Sequence, residues 1–240
     1  MTTRYKVHCQ PAFHPETVIE VLFDDEGEFV RVQGAGGTEQ APLSVEHGVA
    51  FLEAMESLAP DSIANGWQGG IDGCFFTCSV RTARSAVHTF SAWSPQPDKS
   101  PQQHAFISLV YWLAWDTVRE SATIVLLEQF WGYISDALPA RVLQEEPLRV
   151  RIFGRLSSTD SKALNELFTS VPPQVPVLVD MTNFEVMGTV LLPRFRHLHD
   201  RAGLTVWLVN ESVDYYLRGA GISTERFHRE LESAVAALQQ

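Results

Sequence analysis

Positive charge is scarce in this chain. Eighteen Lys and Arg face 29 Asp and Glu among 240 residues, a formal net charge of −11. The deficit is lopsided: residues 1–140 hold seven cations against 17 acids, and residues 141–240 hold 11 against 12. Binding to phosphate backbones requires a basic stripe that displaces counterions, so no nucleic-acid partner is expected. The acidic surplus is compatible with a basic protein partner, and equally with a plain contribution to solubility.

Other absences narrow the field. No apolar run of about eighteen residues escapes interruption by charge, so no membrane partner is expected. The opening MTTRYKVHCQ has no apolar segment of the kind that directs export. Cysteine is limited to Cys9, Cys74 and Cys78, too few and odd in number for a disulfide framework, which points to a reducing, cytoplasmic setting. There is no Gly-x-Ser-x-Gly elbow, no Gly-Lys-Ser/Thr after the GAGG of residues 34–37, and no His-Glu-x-x-His. His197 and His199, two apart on a helix, point to different sides. Cys74 and Cys78 on one strand face would stand about 13 Å apart, too far for one zinc. His8, Cys9 and His14 are the nearest approach to a metal set, but free cysteines are commonly buried hydrophobes. No catalytic residue, cofactor or metal ligand is assigned.

What is present falls into two differently organised halves, with an expected architecture of α/β and α+β class in two domains, residues 1–138 and 141–240. In the first, TVIEVLF and EFVRVQ flank Asp24-Asp25-Glu26-Gly27, a hairpin in which Gly supplies the positive φ. GAGG reads as a loop. LSVEHGVAFLEAMESL places Val45, Val49, Leu52 and Met55 at helical spacing behind Ser44 as N-cap, ending near Pro60. GCFFTCSV and SAVHTFSAW read as a second hairpin, closed by the proline-rich SPQPDKSP. Then HAFISLVYWLAWDTVRESATIVLLEQFWGYI reads as one long helix or as two meeting near Arg119 and Glu120, which completes a ββαββα-type domain. Tyr111, Trp112 and Trp115 widen its apolar stripe of Phe106, Leu109, Val110 and Leu113, so this segment is either central in the core or covered by another chain.

The second half alternates strands and helices. LRVRIFG, VPVLVDM and LTVWLVN read as strands, separated by helices in SSTDSKALNELFTS, capped by Ser158 or Thr159, and in TVLLPRFRHLHDRAG. Two short helices follow in SVDYYLRGAG and STERFHRELESAVAAL. These segments resemble the STAS fold of the anti-sigma-factor antagonist family over roughly the last hundred residues. In that family a strand ending in Gly-Glu-Leu-Asp precedes the first helix, and a strand ending in Asp-Leu leads to an Asp-Ser-Ser-Gly-Leu turn. The resemblance implies that Arg155 stands where the family has a glutamate and Ser157 where it has an acid. It further implies that Gly188 replaces the second acid and that Val190 stands at the phosphorylated serine. Thr189 carries the neighbouring hydroxyl, which at a helix start more commonly acts as a cap. The turn reads as a retained scaffold without its switch.

The expected function is therefore binding, not catalysis. One class is an inhibitor or immunity-type factor whose acidic first domain covers a basic toxin or nuclease, with Asp24, Asp25, Glu26 and Glu28 steering the encounter and Trp67, Trp93 and Trp112 anchoring it. The alternative is a partner-switching regulator of the anti-sigma-factor antagonist kind, docking through the degenerate phosphosite region at Ser157, Gly188, Thr189 and Val190.

Overall fold

Strand β1 (Thr3–Pro11), which the sequence reading left unassigned, pairs with neighbours on both sides in the interior of a sheet. The structure, a computed structural model, describes residues 2–239 except 67, 68, 71, 72, 83–85, 136 and 146. The chain is mixed α/β and divides into two compact units, Met1–Ser135 and Asp136–Gln240.

Unit 1 runs β1, β2 (Thr17–Asp24), β3 (Gly27–Gly34), β4 (Gly37–Pro42), α1 (Val45–Leu58), β5 (Cys74–Arg81), β6 (His88–Trp93), α2 (Pro101–Thr117) and α3 (Ser121–Ile134). The expected ββαββα order is corrected to ββββαββαα. Its six strands form an antiparallel sheet in the order β4-β3-β2-β1-β5-β6. The period of two is clean in β1: Tyr5, Val7 and Cys9 are buried, whereas Arg4, Lys6 and His8 are half-buried on the other face. On that outer face Glu20 is buried by cations, pairing with Arg4, with Lys6 at 3.7 Å and with Arg31 at 3.4 Å. GAGG is a hairpin turn: Gly34 pairs with Gly37, whose φ of 122° suits glycine, and a Cβ on Gly34 would lie 2.6 Å from Leu126 Cδ1.

The three helices of unit 1 pack on the inner face. Phe106 of α2 meets Tyr5 and Phe90, with ring centroids 6.4 and 5.1 Å away. Tyr111 Oη donates to the Leu127 carbonyl at 2.9 Å, joining α2 to α3. Helix α1 starts as expected, with Ser44 Oγ accepting from His47 N at 3.1 Å, and it ends at Ala59 in the left-handed region, φ 49°. Its buried face is not the expected one. Gly48, Phe51 and Met55 are buried, while Val45, Val49 and Leu52 are exposed by 79, 50 and 36%. Phe51 stacks on Phe23 at 6.2 Å and meets Tyr5 edge-on at 5.2 Å, and one large ring buries more apolar area than a valine.

Unit 2 contains β7 (Ala140–Glu145), β8 (Leu148–Ile152), β9 (Gly154–Leu156), α4 (Ser161–Ser170), β10 (Val177–Met181), β11 (Phe184–Met187), α5 (Leu192–Arg201), β12 (Thr205–Val209), α6 (Glu211–Gly219), β13 (Phe227–His228) and α7 (Leu231–Leu238). The main sheet has the order β13-β12-β10-β8-β7, parallel except for β7 against β8. Val150, Val179 and Trp207 face a core that Phe168 of α4, Phe195 of α5 and Leu217 of α6 complete. Leu178, Val206 and Leu208 face the other way, onto Ala234 of α7. The last helix is shorter than expected, because residues 224–226 form a single 3-10 turn and Phe227 and His228 join the sheet edge.

One long-range contact fixes the junction between α2 and α3. Glu39 of β4 is buried, and its carboxylate accepts the backbone N–H of Arg119 at 2.8 Å and of Glu120 at 3.2 Å, the two residues that lead from α2 into α3. Glu39→Ala should lower the unfolding free energy by about 1–2 kcal/mol, because it leaves two backbone donors without their acceptor, with Glu39→Gln losing less. Urea unfolding followed by circular dichroism checks this; an unchanged midpoint in Glu39→Ala would remove the bracing role of this contact.

Candidate functional site

The acidic hairpin and α1 form one surface. Asp24 Oδ1 accepts from Glu26 N at 2.9 Å, which tightens the β2–β3 turn, and Gly27 takes φ 139°. Asp25, Glu26 and Glu28 are exposed and Asp24 is half-buried. Glu28 reaches α1: a Cβ on Gly48 would collide with its Oε2, and its carbonyl accepts from Leu43 N at 2.9 Å. Glu46, Glu53 and Glu56 are exposed on α1 itself. Neither the β2–β3 turn nor α1 contains a lysine or arginine, so the charges these two elements contribute are all acidic. The exposed Val45, Val49 and Leu52 stripe lies within it.

The three expected tryptophan anchors do not share this surface in any described contact. Trp67 lies outside the described residues. Trp93 is half-buried at the end of β6, where a Cβ on Gly70 would collide with its indole. Trp112 is half-buried between α2 and α3 and packs edge-on to Trp131 with ring centroids 5.1 Å apart. The exposed α1 stripe had a readable signal: the helix carries two overlapping apolar stripes, of which only one can face the sheet.

In unit 2, the strand pair β9–β11 brings the two turns of interest together. Leu156 pairs with Met187, and Gly188 N donates to the Leu156 carbonyl at 3.2 Å, so Ser157 and Gly188 follow directly from adjacent strand ends. Neither Ser158 nor Thr159 caps α4, whose N-cap position is Asp160; Ser157 instead opens the 3-10 turn of residues 158–160 that leads into it, with Ser157 N donating to Asp160 Oδ2 at 2.6 Å and its hydroxyl 3.0 Å from the same oxygen. Thr189 is exposed, and the capping position falls on Gly188, so the expected role of Thr189 as a cap is corrected. Val190 is 62% exposed. Asn210 braces the site from β12, donating to the carbonyls of Thr182 and Phe184 at 3.1 and 2.7 Å while accepting from Val213 N at 3.0 Å to cap α6.

Comparison with protein-family models, with curated proteins and with solved structures finds no match for this chain.

The remaining chemistry-bearing groups have structural surroundings. His8 bonds Glu16 at 2.9 Å on the outer face of β1, and Cys9 points to the inner face, so the two do not converge. Cys9, Cys74 and Cys78 are all free and buried; burial pushes the Cys74 thiol up to about 12 and raises the other two as well, which removes thiolate character at neutral pH. His197 is exposed, whereas burial, reinforced by the Arg196 charge, holds the half-buried His199 below the ordinary histidine range. Among the described residues no group of three or more His, Cys, Asp or Glu is set to hold a metal ion, and no helix is long and apolar enough to cross a membrane.

Among the described residues of unit 2, the fully buried carboxylate is Asp180 on β10. It takes Arg149 at 2.7 Å and Arg151 at 2.9 Å from β8, and Thr182 N and Oγ1 at 3.1 and 2.8 Å. Burial alone would raise its pKa, but the Arg151 charge and the bonds from Arg149 and Thr182 outweigh that and hold it below the ordinary value. The carboxylate therefore stabilises the fold fully above about pH 4, and this contribution is lost as the pH falls through the depressed native value. Asp180→Asn should lose about 3 kcal/mol at neutral pH and show a weaker fall in stability under acid. Urea midpoints for both proteins between about pH 2 and 6 check it; parallel acid limbs would mean that Asp180 does not set the acid sensitivity.

Proposed function

We propose that the chain is a binding protein whose acidic unit 1 captures a basic protein, in the manner of an inhibitor or immunity-type factor acting on a toxin or nuclease. The observation that carries this reading is the run of acids from the β2–β3 turn onto α1, Asp24, Asp25, Glu26, Glu28, Glu46, Glu53 and Glu56, on two elements that touch through Gly48 and Glu28. Unit 1 holds seven Lys and Arg against 16 Asp and Glu, so its net charge attracts a cationic partner at long range. Such a field acts on association: it speeds encounter, and salt shortens its reach to roughly 8 Å at physiological ionic strength. Release is governed by desolvated apolar contacts.

A second reading, a partner-switching regulator with a degenerate phosphosite, is supported by the β9–β11 pairing that sets Ser157 beside Gly188, with Val186 and Val190 exposed next to them. The chemistry at this point favours docking without phosphorylation, since Val190 has no hydroxyl. Incubation with an anti-sigma-type kinase and magnesium ATP should leave residues 187–191 unmodified by mass spectrometry; stoichiometric phosphate on Thr189 would restore the switch and overturn the degenerate-site reading.

The first reading is tested by surface plasmon resonance against the co-purifying basic partner, comparing wild type with the combined Asp24→Asn, Asp25→Asn, Glu26→Gln and Glu28→Gln variant at low and high salt. The association rate should fall several-fold with salt and with the variant, while the dissociation rate changes less. Equal association rates in all four conditions would leave the acidic surface as a solubility feature.

A further inference from the structure

We infer that the outward face of α1 is the docking surface of unit 1, and that it takes an amphipathic helix of the partner whose apolar strip is flanked by lysine or arginine. The inference rests on the reading of unit 1 as the part that binds a basic protein, and it specifies where and what shape of partner. Val45, Val49 and Leu52 are spaced by four and three residues, so they form one stripe about 10 Å long on the helix. Phe51 and Met55 anchor α1 to the sheet from a face about a hundred degrees round the helix, which leaves this stripe to the outside. Scattered exposed hydrophobes are ordinary, but a stripe in helical register is a contact surface waiting for a partner.

The charges around the stripe select that partner. Glu28 borders it where it packs against Gly48, Glu46 and Glu53 border the other side, and Glu56 closes the C-terminal end. A second copy of the chain would bring two acidic rims together, and an anionic membrane or a nucleic acid would be repelled in the same way. An apolar strip between basic flanks satisfies both features at once. The partner element is a helix because α1 offers no unpaired strand edge: its backbone groups bond along the helix, and what it presents is a ridge of side chains that fits the groove of another helix.

The test uses fluorescence anisotropy with the full chain and labelled peptides of about 18 residues, long enough to span the stripe as a helix. One peptide carries leucines at helical spacing flanked by lysines, a second scrambles the same residues so that charge is kept and the strip is lost, and a third replaces lysine with glutamate. The first should bind in the micromolar range, the second at least tenfold more weakly, and the third not at all. Val49→Gln combined with Leu52→Gln should weaken the first peptide at least tenfold with unchanged circular dichroism, since both side chains are exposed. Amide shifts in wild type, which need no variant, should concentrate in residues 45–56 when the first peptide is added. If the scrambled peptide binds as well as the first and the shifts spread over all the acids, the α1 docking surface is wrong while the attraction to basic partners stands. If neither basic peptide binds, both readings fail.

Discussion

The ring contact among Phe51, Phe23 and Tyr5 decides what unit 1 presents to its surroundings. Phe23 is the next-to-last residue of β2, one position before the acidic turn, so stacking Phe51 upon it holds that turn against α1. Gly48 then leaves room for the Glu28 carboxylate, which a side chain at that position would displace. The same contact rotates Val45, Val49 and Leu52 outward. Packing in the core and the character of the surface are thus one event: burying the largest ring on the helix leaves the smaller apolar residues to solvent, among carboxylates.

Unit 2 is organised around a different constraint, a carboxylate placed in a parallel sheet. Asp180 occupies a strand whose residues are all buried, and it is tolerated because Arg149 and Arg151 alternate with Val150 and Ile152 on the adjacent strand. The apolar face of the sheet is thereby kept for α4, α5 and α6. At the ends of the strands, β9 pairs with β11 and Asn210 ties the Thr182–Phe184 turn to the start of α6. The Ser157 and Gly188 turns are held in place by backbone bonds, and this holds whichever side chains occupy them.

Local features of this fold were legible in the residues. The Asp24–Gly27 hairpin, the Ser44 cap, the break between α2 and α3 at Arg119–Glu120, and the three central strands of unit 2 each follow from neighbours within one turn or one strand. Features that depend on distant partners were not. β4 has few apolar residues because it is an edge strand, and β13 is two residues long and exists only through β12. The carboxylate that binds the Arg119 and Glu120 backbone between α2 and α3 comes from Glu39, about eighty residues earlier, where no local rule would look. β1 is the exception, since its alternation of Tyr5, Val7 and Cys9 with Arg4, Lys6 and His8 was there to be read.

By itself, the sequence determined the charge asymmetry, the periodicities of strands and helices, and the absence of a hydroxyl at Val190, because each of these is a property of the residues alone. Only the tertiary structure decided which stripe of α1 is buried, whether a given hydroxyl caps a helix, and which acids share a surface. Those are choices between alternatives that are close in local energy. They are settled by the area and the partners that another element supplies, and that surface exists only once the sheet has formed.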